Sequence, residues 1–252
     1  MRRLLCITAH PDDEAGNFGG TLAKMASLGV QTCVICLTAG EAGRHRGRAA
    51  DKEELAAMRT QEMARSCELL RVSSHQVWSY PDSKLSEINF YQAAARLVGV
   101  VRDFRPQVVL AFGPEGGLTA HPDHGMSSLL ATAAFHGAAQ EKPFPLDGKP
   151  AFQAERLFYS TGTVQPPHAN RVLLPPVDVE VDISAFLELK ITAFKAHLTQ
   201  NPLAPRFEEF MRASSRGVER YHLAAAPLGC ERGLLQASGD LFHGCQAAPE
   251  AA

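Results

Sequence analysis

The stretch Leu4-Leu5-Cys6-Ile7-Thr8-Ala9-His10-Pro11-Asp12-Asp13-Glu14 decides how the chain is read. A short apolar run stops at a proline turn crowded with acids, the pattern of a buried strand that delivers polar groups to the carboxyl edge of a sheet. The run is too short for the apolar region of a signal peptide, so a cytoplasmic protein is expected. Working outward, strand-like runs at residues 4–9, 31–38, 76–79 and 107–112 alternate with helical stretches at about 20–28, 51–70, 86–104 and 122–139. That alternation predicts the α/β class: a Rossmann-like three-layer αβα fold with a mostly parallel sheet. Arg105-Pro106 stops the third helix, because proline cannot continue it. Past the turn-rich loop at 142–150, strands at 156–160, 177–183 and 221–226 and a helix at 184–198 make an elaborated C-terminal part. The simplest organisation is a single domain over residues 1–244 followed by a mobile tail at 245–252.

Composition narrows the function. With 252 residues, 45% hydrophobic, 21% charged and a net charge of −2, the chain is globular rather than disordered. It lacks the basic footprint of a nucleic-acid or anionic-membrane binder, and no apolar run approaches the ~20 residues of a membrane span. A small-molecule partner is expected, and a homo-oligomer is left open. The six cysteines are scattered, so reduced thiols are expected. Cys33 and Cys36 form a C-x-x-C, but inside a strand residues three apart face opposite sides. They read as core thiols rather than a metal clamp or redox pair.

In an open α/β sheet, ligands bind beyond the carboxyl ends of the strands. Polar clusters follow each of the first four strands, at 9–14, 38–44, 80–83 and 113–124, the last ending in His121-Pro122-Asp123-His124. A catalytic zinc takes three nitrogen or oxygen ligands from the protein, and His10, Asp13 and His124 supply that set. Fe2+, Mn2+ or Co2+ would accept the same donors. A divalent metal lowers the pKa of a water it holds towards ~7, and a nearby base completes the nucleophile. Asp12 is the natural base. His121, three residues before His124 at a helix start, is placed to stabilise an oxyanion or protonate a leaving amine. Glu14 and Asp123 read as carboxylates that orient the ligating imidazoles. The competing reading is helix capping by Asp12 or Asp13. Two His-Pro-Asp clusters beyond two strands of one parallel sheet are hard to explain that way.

These two clusters resemble the paired AHPDDE and HPDH motifs of the PIG-L / LmbE-like deacetylases, zinc-dependent enzymes that remove N-acetyl groups from N-acetylglucosaminyl compounds, including those of bacillithiol and mycothiol biosynthesis. The resemblance extends to Thr38–Gly43, the Arg59 and Glu62 pair, Pro81-Asp82-Ser83 and Lys195-Ala196-His197-Leu198-Thr199-Gln200. It implies an amidohydrolase with zinc on His10, Asp13 and His124, Asp12 as general base and His121 stabilising the tetrahedral intermediate. It also implies that Glu41, Arg59 and Asp82 bind an amino-sugar substrate. On the residues alone, Glu41 is equally placed to cap a helix and Arg59 to be ion-paired. The chain departs from the family at Leu118-Thr119-Ala120, where several members that act on thiol-sugar precursors carry Tyr-Gly.

The leading expectation is therefore a zinc-dependent N-deacetylase, with an amidase of a thiol-sugar conjugate and a catalytically silent metal- or sugar-binding module as alternatives. A Rossmann dehydrogenase is disfavoured, because consecutive carboxylates after the first strand would repel a pyrophosphate. The basic run Arg44-His45-Arg46-Gly47-Arg48 is either a solvated loop or a contact for an anionic substrate group such as a malate carboxylate.

Overall fold

A computed structural model describes residues 1–145, 148–163, 172–215, 217–230 and 232–245. One seven-stranded sheet runs in the order β3-β2-β1-β4-β5-β7-β6. Its parallel strands are β1 (Arg3–Thr8), β2 (Gln31–Thr38), β3 (Ser74–Tyr80), β4 (Val108–Phe112) and β5 (Arg156–Thr161). β7 (Val218–Ala225) lies antiparallel between β5 and β6 (Val179–Asp182). The expected fold class is the one found, with the mixed edge supplied by the C-terminal part.

Alternation along the buried strands builds the three layers. Leu4 and Cys6 of β1 point into one apolar cluster, with Phe18, Met63 and Phe194. Leu5 and Ile7 point into the other, with Leu97, Val101 and Leu130. Cys33 and Cys36 fall in opposite clusters as buried free thiols, as their spacing on a strand requires. The first cluster is covered by α1 (Asp13–Ser27), α2 (Lys52–Leu69) and α5 (Leu187–Lys195), the second by α3 (Phe90–Phe104) and α4 (Pro122–Gly137).

Several boundaries differ from the sequence reading, each for a local reason. The first helix begins at Asp13, seven residues before the expected start near Gly20. Gly16, Gly19 and Gly20 lower helix propensity and hide this turn. Gly20 is there for packing: a Cβ would stand 2.3 Å from Ile183 Cδ1. The third helix starts at Phe90, where Asn89 accepts a hydrogen bond from the Gln92 amide, and a separate 3-10 turn covers Leu85–Glu87. The stretch 184–198 divides into a 3-10 turn, Ser184–Phe186, and α5. Beyond it come a 3-10 segment (Leu198–Leu203), α6 (Ala204–Phe210), a π turn (Met211–Ser215) and α7 (Arg232–Ser238), none anticipated. The expected tail falls almost wholly on residues 246–252, outside the described residues. Among the described residues, no helix is long and apolar enough to cross a membrane.

The order of the strands positions the site. Progress from β1 to β3 moves one way across the sheet and from β4 to β5 the other, so the crevice beyond β1 and β4 is the topological switch point. Both His-Pro-Asp segments emerge there.

Candidate functional site

Thr38 fixes the loop after β1: its amide and hydroxyl both donate to the Ala9 carbonyl, at 3.0 and 2.9 Å. Asp13 then opens α1, and its Oδ2 accepts the amides of Ala9 (3.2 Å) and His10 (2.8 Å). The same carboxylate reaches both imidazoles, with Oδ2 3.5 Å from His10 Nδ1 and Oδ1 3.2 Å from His124 Nε2. Burial would raise the Asp13 carboxyl, but His124 and His10 outweigh it and hold it well below the usual range.

His124 lies in the first turn of α4, stacked on Phe112 with ring centroids 4.0 Å apart. Its Nδ1 is 3.2 Å from the Gly116 carbonyl, an acceptor only, which assigns the proton to Nδ1 and leaves Nε2 as a lone pair facing Asp13. His10 Nε2 is 3.1 Å from Asp82 Oδ1 and 3.4 Å from Asp123 Oδ2, so its Nδ1 is the atom turned towards Asp13. Burial would push the His10 imidazole down, but Asp123, Asp13 and Asp82 outweigh it and push it well up. Asp13 thus bridges the imidazoles of His10 and His124 through its two oxygens, with Asp82 and Asp123 on the other side of His10. That donor set requires a cation, either a proton or a metal ion. Among the described residues, two groups have ligand atoms within 4.8 Å of one another, His10 with His121 and His124 and His10 with Asp82 and Asp123; neither is the expected set, in which Asp13 meets the two imidazoles through different oxygens.

His121 is the N-cap of α4, and its Nδ1 accepts the Asp123 amide at 3.2 Å. Burial, helped by His10 and His124, pushes its pKa down. The neutral ring therefore carries its proton on Nε2, as a hydrogen-bond donor.

Asp12 sits between these groups with φ at 113°, a left-handed conformation that costs a non-glycine residue about 1–3 kcal/mol. Two contacts hold it there. Glu14 Oε2 accepts its amide at 3.0 Å, and Arg59 Nη2 lies 3.1 Å from its Oδ2. Burial pushes the Asp12 carboxyl up to about 6, with Arg59 opposing the rise.

The remaining predicted residues act within the loops. Arg59, 4% exposed, donates to the carbonyls of Gly40 (2.9 Å) and Pro11 as well as to Asp12, so its guanidinium ties two site loops together. Gly40 has φ at 70°, and a Cβ there would stand 2.3 Å from Arg59 Nη1. Glu41 Oε1 accepts the Asp82 amide at 2.8 Å rather than capping a helix. Asp82 lines the cleft, accepts the Ala42 amide at 2.8 Å and touches His10. Asp123 takes the amides of Ser83 (2.7 Å) and Leu85 (3.2 Å) while facing His10.

Glu14 differs from the sequence reading. It touches no imidazole of the cluster; its Oε1 pairs with His197 Nε2 at 2.7 Å, both side chains fully buried. His197 is the residue the spacing of the motifs could not place, since it lies 183 positions from Glu14. Glu62 anchors its segment by accepting the Thr199 amide and hydroxyl at 2.8 and 2.6 Å. The one signal for it was the Lys195–Gln200 stretch of the family resemblance.

A cleft of about 1260 Å³ opens at the switch point, lined among others by His10, Asp12, Asp13, Asp82, His121 and His124. Residues 5–135 match the PIG-L family, described as GlcNAc-PI de-N-acetylase, and the chain belongs to that family. It is 31% identical to a 1D-myo-inositol 2-acetamido-2-deoxy-alpha-D-glucopyranoside deacetylase of Acidothermus cellulolyticus, over 97% of this chain and 95% of that one. A mycothiol S-conjugate amidase of Streptomyces coelicolor is 34% identical over 65% of this chain and 62% of its own. Among solved structures, a conserved protein of Thermus thermophilus superposes with a TM-score of 0.73 at 29% identity, covering 91% of this chain and 98% of that one.

Proposed function

We propose that the chain is a metal-dependent hydrolase that removes the N-acetyl group of an N-acetylglucosaminyl compound. The observation that carries this reading is that Asp13 bridges the imidazoles of His10 and His124 in a cleft that Asp12 also lines, a carboxylate kept basic by burial. His10, Asp13 and His124 would hold a divalent ion, zinc by preference for this nitrogen and oxygen set, which when bound supplies an acidified water and a polarised amide carbonyl. Asp12 Oδ takes the proton of the attacking water and returns it to the departing amine. His121, neutral with its proton on Nε2, donates a hydrogen bond to the oxygen that gains charge in the tetrahedral intermediate. Asp82 and Asp123 hold His10 in the rotamer and tautomer that present Nδ1.

The named deacetylase relatives support an acetylated amino sugar, and their substrate names favour an inositol conjugate over the malate conjugate that Arg44–Arg48 suggested. The amidase relative keeps a thiol-sugar conjugate as the second reading, favoured by a cleft larger than one sugar needs. The test is elemental analysis of the purified protein followed by acetate release from N-acetylglucosaminyl inositol. One zinc per chain and stoichiometric acetate are expected; a metal-loaded chain that releases acetate from no acetylated amino sugar would leave a silent binding module.

A second expectation concerns pH. A general base works only when deprotonated, so activity is lost as pH falls through the pKa of Asp12. Arg59→Gln removes the cation that stabilises the carboxylate, and the acid limb of kcat/KM moves to higher pH by roughly one unit or more. An unmoved limb in the variant would detach Asp12 from that limb.

A further inference from the structure

Glu14 and His197 are wholly buried, and the mechanism above uses neither. Neither side chain lines the cleft, so neither touches a substrate held there. His197 stands where α5 gives way to the 3-10 segment, and its Nδ1 has no hydrogen-bond partner among the described residues. The ring's one side-chain hydrogen bond is therefore the one from Nε2 to Glu14 Oε1, at 2.7 Å. A buried pair of this kind is a weak source of stability, since apolar side chains of similar volume often serve as well. Its geometry points elsewhere.

Glu14 has a second oxygen. Oε2 accepts the Asp12 amide at 3.0 Å, and Asp12 is the residue held at φ 113° and ψ −24°. The Asp12 carbonyl accepts the Gly16 amide at 2.8 Å, so its backbone is pinned on both sides as the chain enters α1. A pinned backbone fixes the direction in which the side chain leaves, and Arg59 Nη2 meets its Oδ2 at 3.1 Å. Both supports rest on α2. Arg59 touches Asp12 directly, and Glu62, one turn on, accepts the amide and hydroxyl of Thr199 beside His197. We infer that Glu14 and His197 are positioning residues for the general base: His197 fixes the Glu14 carboxylate, and Glu14, by holding the Asp12 amide, fixes where the Asp12 carboxylate stands. The inference rests on the deacetylase reading, in which Asp12 is that base.

The test is a double-mutant cycle on the zinc-loaded enzyme. Glu14→Leu combined with His197→Leu removes both polar groups and strands neither, so the chain stays folded in urea titration. Its kcat falls by about 10²-fold, the cost of a base misplaced by about 1 Å, with KM and zinc content unchanged. In an Asp12→Asn background the same two substitutions cost less than about threefold, because the group they position is already gone. Glu14→Gln still offers an oxygen to the Asp12 amide and keeps kcat within about threefold. His197→Gln, which can still donate to Glu14, keeps turnover where His197→Leu alone lowers it by about tenfold, a comparison that serves if the double leucine variant folds poorly. Hydrogen exchange at the Asp12 amide, followed by NMR, reads the same contact without a substrate and quickens by about tenfold in the Glu14→Leu, His197→Leu chain. Wild-type kcat in that chain, a second loss of the same size in the Asp12→Asn background, or equal turnover of the two single His197 variants would overturn the inference and leave the deacetylase reading intact. A wild-type chain that releases no acetate from any acetylated amino sugar overturns that reading instead. The exchange experiment then decides the positioning alone, and an unchanged rate at the Asp12 amide overturns it.

Discussion

Asp12→Asn lowers kcat by roughly 10²–10⁴-fold while zinc stays bound in full. The amide is nearly isosteric and can still face Arg59, but it cannot accept the proton of water. The arrangement predicts loss in kcat rather than KM, because Asp12 is assigned no share in holding the metal or the sugar. Steady-state kinetics beside metal analysis reads both quantities at once. Wild-type turnover in the variant would remove Asp12 from the chemistry, and lost zinc would make it a ligand instead.

The second large effect lies in the buried pair of Glu14 and His197, whose polar atoms are 2.7 Å apart. His197→Ala leaves the Glu14 carboxylate without its partner in a dry interior, a change of about 3–5 kcal/mol in unfolding free energy. Urea unfolding measures it, and Glu14→Gln in the His197→Ala background recovers part of the loss by removing the stranded charge. The pair also sets a pH window. For Glu14, burial opposes ionisation but His197 outweighs it and lowers the pKa, so its contribution is present above the ordinary 4.5 and is lost as pH falls through the lower folded value. For His197, burial opposes protonation but Glu14 outweighs it and raises the pKa, so its contribution is full below the ordinary 6.5 and is lost as pH rises through the higher folded value. The pair therefore stabilises most between about pH 4.5 and 6.5. A His197→Ala penalty that stays flat from pH 5 to pH 9 would show that the imidazole titrates no differently in the folded and the unfolded chain.

Much of this architecture can be read before any coordinates, because strands that are buried on both faces write continuous apolar runs. Leu4–Ile7 and Val108–Phe112 are such runs, and each is followed at once by its polar cluster. Adjacency of those two strands in the sheet then brings His10 and His124 together. What escapes is whatever depends on contacts between distant elements. Glu14 pairs with His197 rather than with an imidazole of the site, and Asp82 meets His10 as well as lining the cleft, because a carboxylate's partner is chosen by packing and not by its neighbours in the chain. The segment from Leu198 to Ser215 mixes 3-10, α and π turns around Pro202 and Pro205, so it carries no steady period to detect. Yet it supplies one whole wall of the cleft.

The left-handed backbone at Asp12 has a consequence for how such chains change over generations. Glycine is the residue that would relax it, and mutation offers glycine from aspartate in a single base change. Selection for folding alone would gain little from that exchange, because about a kcal/mol of relieved strain is set against a buried Arg59 guanidinium left without its carboxylate. A change at Asp12 is therefore expected to travel with a change at Arg59, and lineages that keep one are expected to keep the other.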